Sequence, residues 1–288
     1  MRLFILLSLP LLHMIAEEDD GDIGNAIIDV FRTSGSVSYE KEWTMGQTIA
    51  LQAFETVGKL SSDRSLLEDV SMVGNTVARA SDRPHTPYFF AVCENPDPNA
   101  FAVPGGFIFM TTGLLKLVKN EEELAGILGH EIAHISLQHA IKGIKSSKRW
   151  GAGLKLGGLV LNTFLNDEGA GETPSNAPLN YGSLIGMGFQ QITETGHGYK
   201  HEIDADEAGI EYAYRAGYRA TGLRDFLQTL ATLEKGKEKF ALFKTHRDHR
   251  KRVKALDKFL KKEGFQDLGH NTALVGRFNA NLKSRINQ

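Results

Sequence analysis

His130-Glu131-Ile132-Ala133-His134 is a run whose residue types and spacing could do chemistry. On a helix, residues four apart share a face, so these two imidazoles can grip one cation. The glutamate beside the first histidine is then placed to take a proton from water, the pattern of a zinc-dependent peptidase. A catalytic zinc needs a third protein ligand and an open position. One known solution is a histidine six residues after the second motif histidine, with a glycine between. Those positions hold Ala140 and Leu137, which excludes it. His139 lies nine residues after His130, two and a half turns along a continuous helix. It is expected on the opposite face, as a structural or surface histidine.

The other solution takes a glutamate from a separate helix. His201-Glu202-Ile203-Asp204-Ala205-Asp206 offers one. Glu202 and Asp206 are four apart and share a face, so Glu202 can ligate the metal while Asp206 accepts a hydrogen bond from a ligating histidine. The expected site is one Zn2+ per chain, with His130, His134 and Glu202 as ligands and Glu131 as general base. Alone, the acidic cluster would be an ordinary solvated helix start; the first motif turns it into a ligand donor.

These residues need elements to hold them. Asn120 and Glu123 form a capping-box pattern ahead of Leu124, Ile127, Leu128, Ile132 and Ile135 at helical spacing. That predicts a helix running past Ala140. Further helices are predicted over Trp43–Leu60, Leu66–Ala80, His201–Ala216, Thr221–Leu233 and Arg250–Lys262. Tyr88–Cys93 and Ala100–Met110 read as strands, with the turn residues Glu94–Asn99 between them. The fold class is α+β, mostly helical, with one small sheet. Residues 151–178 are rich in Gly, Asn and small side chains and are expected to form a mobile insertion.

At this point the chain resembles a family. Asn99-Ala100-Phe101-Ala102-Val103-Pro104-Gly105-Gly106 leads to Gly113-Leu114-Leu115, then come HExxH, Glu202-x-Asp204-Ala205-Asp206-x-x-Gly209, and Thr245-His246 with Arg252-Val253. This order is similar to that of the HExxH zinc endopeptidases that include the type I CAAX prenyl protease, the mitochondrial inner-membrane stress protease and bacterial periplasmic quality-control proteases. The resemblance covers Glu42 to Lys262. It implies a zincin-like domain with the same ligands and base, Asp206 behind a ligand, and His246 near the metal. There His246 would stabilise the oxyanion or, at rest, fill the open zinc position. Two positions depart from the family pattern: Arg247 stands where proline is usual, and Tyr199 where a basic residue is often found. The Ala100–Met110 strand is expected at the edge of the sheet beside the cleft, where an extended peptide could add as another strand. Phe101, Ala102 and Val103 would line it, and Gly105 and Gly106 would either let the backbones approach or form a simple turn. Strand addition reads backbone, so the implied substrates are unfolded or misassembled proteins. The alternatives are a chaperone-like binder that keeps the zinc, which has no need of Glu131, and a structural zinc site closed by His246.

Composition places the rest. With 41% hydrophobic and 24% charged residues the chain is an ordinary globular protein. A formal net charge of -2 gives no bias toward nucleic acid. The single cysteine, Cys93, rules out an intramolecular disulfide and a cysteine-rich zinc site. Arg2, the apolar run Leu3–Ile15 and Ala16 describe a secretory signal peptide over 1–16, with an uncleaved membrane anchor as the alternative. The expected compartment is extracellular or periplasmic. An acidic segment (17–41), the peptidase domain (42–266) and a polar tail (267–288) follow. The basic segment 235–262 reads as solvated surface, with contact to a membrane surface as the minority reading. Oligomeric state is left open.

Overall fold

A computed structural model of the chain describes residues 37–146, 197–236, 240–266 and 276–284. The expected leader, the insertion at 151–178 and most of the acidic segment fall outside these residues.

The elements run α1 (Tyr39–Val57), α2 (Arg64–Arg79), β1 (Phe89–Cys93), β2 (Ala100–Val103), β3 (Phe107–Thr111) and α3 (Thr112–Leu117). They continue with α4 (Glu121–Ser136), α5 (His139–Ser146), α6 (Tyr199–Arg215), α7 (Gly222–Lys235), α8 (Leu242–Thr245) and α9 (His249–Glu263). The described part of the tail ends in a π-helical turn, Asn279–Lys283, where Phe278 and Leu282 enter the core and Arg277 pairs with Glu121.

The sheet has the order β1-β3-β2, with β1 parallel to β3 and β2 antiparallel to it. Alternation along the strands sends side chains to two cores. Ala100, Ala102, Ile108 and Met110 face the large core built on α2, α4, α6, α7 and α9. Phe101, Val103, Phe107 and Phe109 face Met45, Ile49, Ala50 and Ala53 of α1. Phe101 and Phe109, opposite each other across the ladder, stack with ring centroids 5.0 Å apart.

The single strand expected over Ala100–Met110 is therefore a hairpin. Pro104–Gly106 forms a short 3-10 turn in which Gly105 and Gly106 adopt φ of 83° and 108°, a region open to glycine and costly for other residues. A Cβ on Gly105 would strike Trp43 Cα at 2.9 Å, and one on Gly106 the Pro87 carbonyl oxygen at 2.0 Å. The glycines admit neighbours of the turn, not an incoming peptide. β2 is an edge strand of the described sheet.

The best-signposted helix starts as expected. Asn120 Oδ1 accepts from Glu123 N at 2.8 Å, and the Glu123 carboxylate accepts from Lys119 N at 2.9 Å. Its burial differs from a one-sided helix: every residue from Glu121 to Ile135 is buried. Such a helix must be core, enclosed by other elements on all sides. Its end differs too. α4 stops at Ser136, Gln138 takes a left-handed φ of 53°, and α5 begins at His139. The expectation of one helix past Ala140, with His139 on the far face, fails at that break. Among the described residues no helix is long and apolar enough to cross a membrane.

Candidate metal centre

The site lies where α4 crosses α6, and two glycines set how closely. A Cβ on Gly129 would lie 2.5 Å from the Gly209 carbonyl oxygen; one on Gly209 would lie 2.6 Å from His130 N. Neither contact is tolerable, so the helices meet backbone on backbone. That brings Glu202 and Asp206, on consecutive turns of α6, against His130 and His134, on consecutive turns of α4.

The result is a buried group of convergent donors. His130 Nε2 and His134 Nε2 stand 3.0 Å apart, and the Glu202 carboxylate oxygens lie 3.7 and 3.6 Å from them. One ligand atom each from His130, His134, Glu202 and His246 fits within 4.8 Å of all the others. Four donors around zinc at its usual bond lengths of about 2.0–2.1 Å would be separated by about 3.4 Å, so the spacing fits. Two imidazole nitrogens facing each other can share at most one proton, and Glu202 Oε1 is buried with no hydrogen-bond donor. Both are arrangements that a shared cation satisfies.

Charge points the same way. Glu131, Glu202 and Asp206 are buried with one cation, Arg252, itself 1% exposed. When all three carboxylates are ionised and His246 is neutral, two negative charges are left over, which a divalent ion would balance. Arg252 Nε and Nη2 donate to Asp206 at 2.8 and 2.6 Å, and its Nη1 lies 2.8 Å from Glu202 Oε2. Burial alone would raise both carboxyls. The guanidinium, with His246 acting on Glu202, outweighs it and holds both below the usual carboxylate range. Asp206 Oδ1 stands 2.9 Å from His130 Nδ1, behind the ring.

Glu131 has no guanidinium in contact; its Oε1 faces His246 Nε2 at 3.6 Å. Burial raises its carboxyl, against the opposing pull of His246 and His130, and Oε2 is without a hydrogen bond. A carboxylate with one oxygen free of hydrogen bonds and its proton affinity raised is suited to taking a proton from water. His246 reaches the group from the end of α8. Its Nδ1 is 3.0 Å from Glu202 Oε2 and 3.2 Å from His130 Nε2; its Nε2 is 3.3 Å from the Ala100 carbonyl oxygen and 3.6 Å from Glu131 Oε1. Burial opposes a charge on His246, yet Glu202 and Glu131 outweigh it and push the group up to about 9. The field that favours a proton there favours a metal cation equally.

The structure thus brings together His130, Glu131, His134, Glu202, Asp206 and His246. Arg247, in the proline position, does not keep His246 away. Of the expected edge-strand residues, Phe101 and Val103 point into the α1 core and Ala102 into the large core. The described contact between this strand and the donor group is through the Ala100 backbone. Arg252, read from sequence only as part of the family pattern, and His139, expected on the far face, also belong to the site. Arg252 pairs with carboxylates 46 and 50 positions away, a contact that spacing cannot reveal. His139 packs against His134 because of a helix break that the residue types do not announce.

Two imidazoles from one helix and a carboxylate from another, with a glutamate beside the first histidine, define a class: the metal-dependent peptidases of the HExxH-plus-glutamate kind. The chain belongs to peptidase family M48, whose model matches residues 65–260. The family's metal is zinc, in keeping with the donor set. The chain is 28% identical over 208 residues to the beta-barrel assembly-enhancing protease of Yersinia pestis, covering 70% of this chain and 40% of that one. It is 26% identical over 170 residues to the mitochondrial metalloendopeptidase OMA1 of Schizosaccharomyces pombe, covering 59% and 45%. It is 25% identical over 161 residues to the metalloprotease YcaL of Escherichia coli, covering 56% and 58%. The chain thus spans less than two thirds of the length of these relatives.

Proposed function

We propose that this chain is a zinc endopeptidase acting on extended segments of unfolded or misassembled proteins in envelope quality control. The observation that carries the reading is the convergence of His130 Nε2, His134 Nε2 and the Glu202 carboxylate beside Glu131, whose Oε2 has no hydrogen bond. In this reading His130, His134 and Glu202 hold the ion. When bound, zinc supplies Lewis acidity toward the scissile carbonyl and makes water acidic enough to yield a proton near neutral pH. Glu131 takes that proton and delivers it to the leaving amine. Asp206 fixes the His130 ring, and Arg252 keeps Asp206 and Glu202 charged and in place.

His246 favours a resting form of the same enzyme. Its Nδ1 stands among the ligand atoms, and so occupies the side from which a substrate carbonyl would approach. In the working form His246 would turn its ring toward the oxyanion. The substrate class is inferred from β2, an edge strand whose Ala100 carbonyl meets His246, so that a peptide paired along Ala100–Val103 would pass beside Glu131. The envelope setting is supported by the signal-peptide pattern at 1–16 and by the name of the Yersinia relative.

The test is cleavage of casein by purified wild type and Glu131→Gln, with zinc measured in both. Cleavage that Glu131→Gln loses, with about one zinc per chain in each, supports the peptidase reading. Zinc in both and cleavage in neither moves the reading to a binder or a closed site.

A further inference from the structure

Each expected ligand histidine turns Nε2 toward the donor group and leaves Nδ1 for a neighbour. For His130 that neighbour is the Asp206 carboxylate. For His134 it is another imidazole: His139 Nδ1 lies 3.0 Å from His134 Nδ1, and His139 is 1% exposed. We propose that His139 is a positioning residue for the metal, its Nδ1 accepting the Nδ1–H of His134 and so holding that ring with Nε2 toward the ion. The proposal rests on the reading of His134 as a ligand.

The proton placement follows from the contact. With Nε2 given to a cation, the remaining proton of a neutral His134 sits on Nδ1. Two Nδ1 atoms at hydrogen-bond distance then need the partner to be the acceptor, so His139 carries its own proton on Nε2. A neutral acceptor also suits the charge of the site. Glu131, Glu202 and Asp206 already exceed Arg252 in charge, and a carboxylate in the place of His139 would add to the excess.

His139 is held on two sides. The helix break places it. Gln138, left-handed at φ 53°, donates from Nε2 to the Val37 carbonyl at 2.9 Å and to the Glu42 carboxylate, and accepts from Val37 N at 3.2 Å. Arg83 completes the clamp, 3.0 Å from Glu42 Oε1 and 3.3 Å from the carbonyl of Ile135, on the last turn of α4. On the other side the His201 ring stacks on His139, with centroids 4.4 Å apart and planes 13° from parallel. His201 directly precedes Glu202, so the stack links His134 and Glu202 through the side away from the metal. A left-handed backbone is unfavourable for glutamine, and the three hydrogen bonds of its amide offset that strain.

The experiment measures zinc affinity by competition with a chromophoric chelator, and the visible spectrum of the Co2+-substituted protein. Wild type is compared with His139→Phe, His139→Asn and Gln138→Gly, with folding checked by circular dichroism. Phenylalanine keeps the ring that stacks on His201 and removes the acceptor; asparagine places an acceptor oxygen near the Nδ1 position. The expected result is a loss in zinc affinity of about 10–100-fold in His139→Phe with an altered Co2+ spectrum, and recovery of both in His139→Asn. Wild-type affinity and spectrum in His139→Phe, or equal losses in both His139 variants, would overturn the proposal. If His139→Phe does not fold, Gln138→Gly decides. It keeps the left-handed backbone and loses the clamp; weaker zinc binding supports the proposal and wild-type binding overturns it. Failure of wild type itself to bind zinc would instead undo the metal-site reading beneath it.

Discussion

The donor group is supplied by two regions of opposite construction. α4 and α6 meet at Gly129 and Gly209 with no room for a methyl group, and their donors are backed by buried partners: Asp206 for His130, His139 for His134, Arg252 for Glu202. His246 comes instead from the end of the four-residue helix α8, followed by exposed Arg247 and by Asp248 in a left-handed conformation. Its polar partners are the donor group itself, Glu131 and one backbone carbonyl. Three donors belong to a frame of two long helices packed backbone on backbone; the fourth comes from a short segment anchored by Leu242 in the core. A metallopeptidase needs that asymmetry, because the ion must stay while one position around it is given up to substrate.

Breaking the chemistry without touching the frame should have the largest effect. Glu131→Gln is expected to lower casein cleavage by about 10²–10⁴-fold, at unchanged zinc content and unchanged unfolding midpoint. The frame itself is tested next. Arg252→Met leaves Asp206 and Glu202 buried without their cation, and should cost about 3–5 kcal/mol of folding stability in urea unfolding of the metal-free protein. Full stability in that variant would mean that the carboxylates are held by something else. Gly209→Ala should cost about 1–3 kcal/mol by pushing α6 away from His130, with weaker zinc binding as its second signature. On the loop side, His246→Ala should change zinc affinity by less than about tenfold, whereas Glu202→Ala should abolish stoichiometric binding. Equal losses in those two variants would erase the distinction between frame and loop.

Much of this was legible in the residues, for identifiable reasons. HExxH and Glu202-x-x-x-Asp206 are local patterns, and helical spacing alone puts their members on common faces. The Asn120–Glu123 cap marks the start of α4, and Gly209 sits in the second motif for a reason that the structure makes physical. What could not be read comes from contacts distant in sequence. Gln138 takes a left-handed conformation held by Val37 and Glu42, about a hundred positions earlier, so a continuous helix was the natural expectation and His139 was placed on the wrong face. Arg252 stands in the family pattern, but its pairing with Asp206 and Glu202 is not visible in the sequence. A turn at Gly105-Gly106 is one of the two readings the sequence allows, and the structure adopts it. The apolar residues on both sides of it joined two strands into one.

The most direct test of the central claim is a zinc-edge anomalous diffraction map from crystals of the zinc-loaded protein. The account predicts one strong peak per chain, bounded by His130 Nε2, His134 Nε2 and a carboxylate oxygen of Glu202. A peak elsewhere, or one that lacks Glu202 among its neighbours, would contradict it.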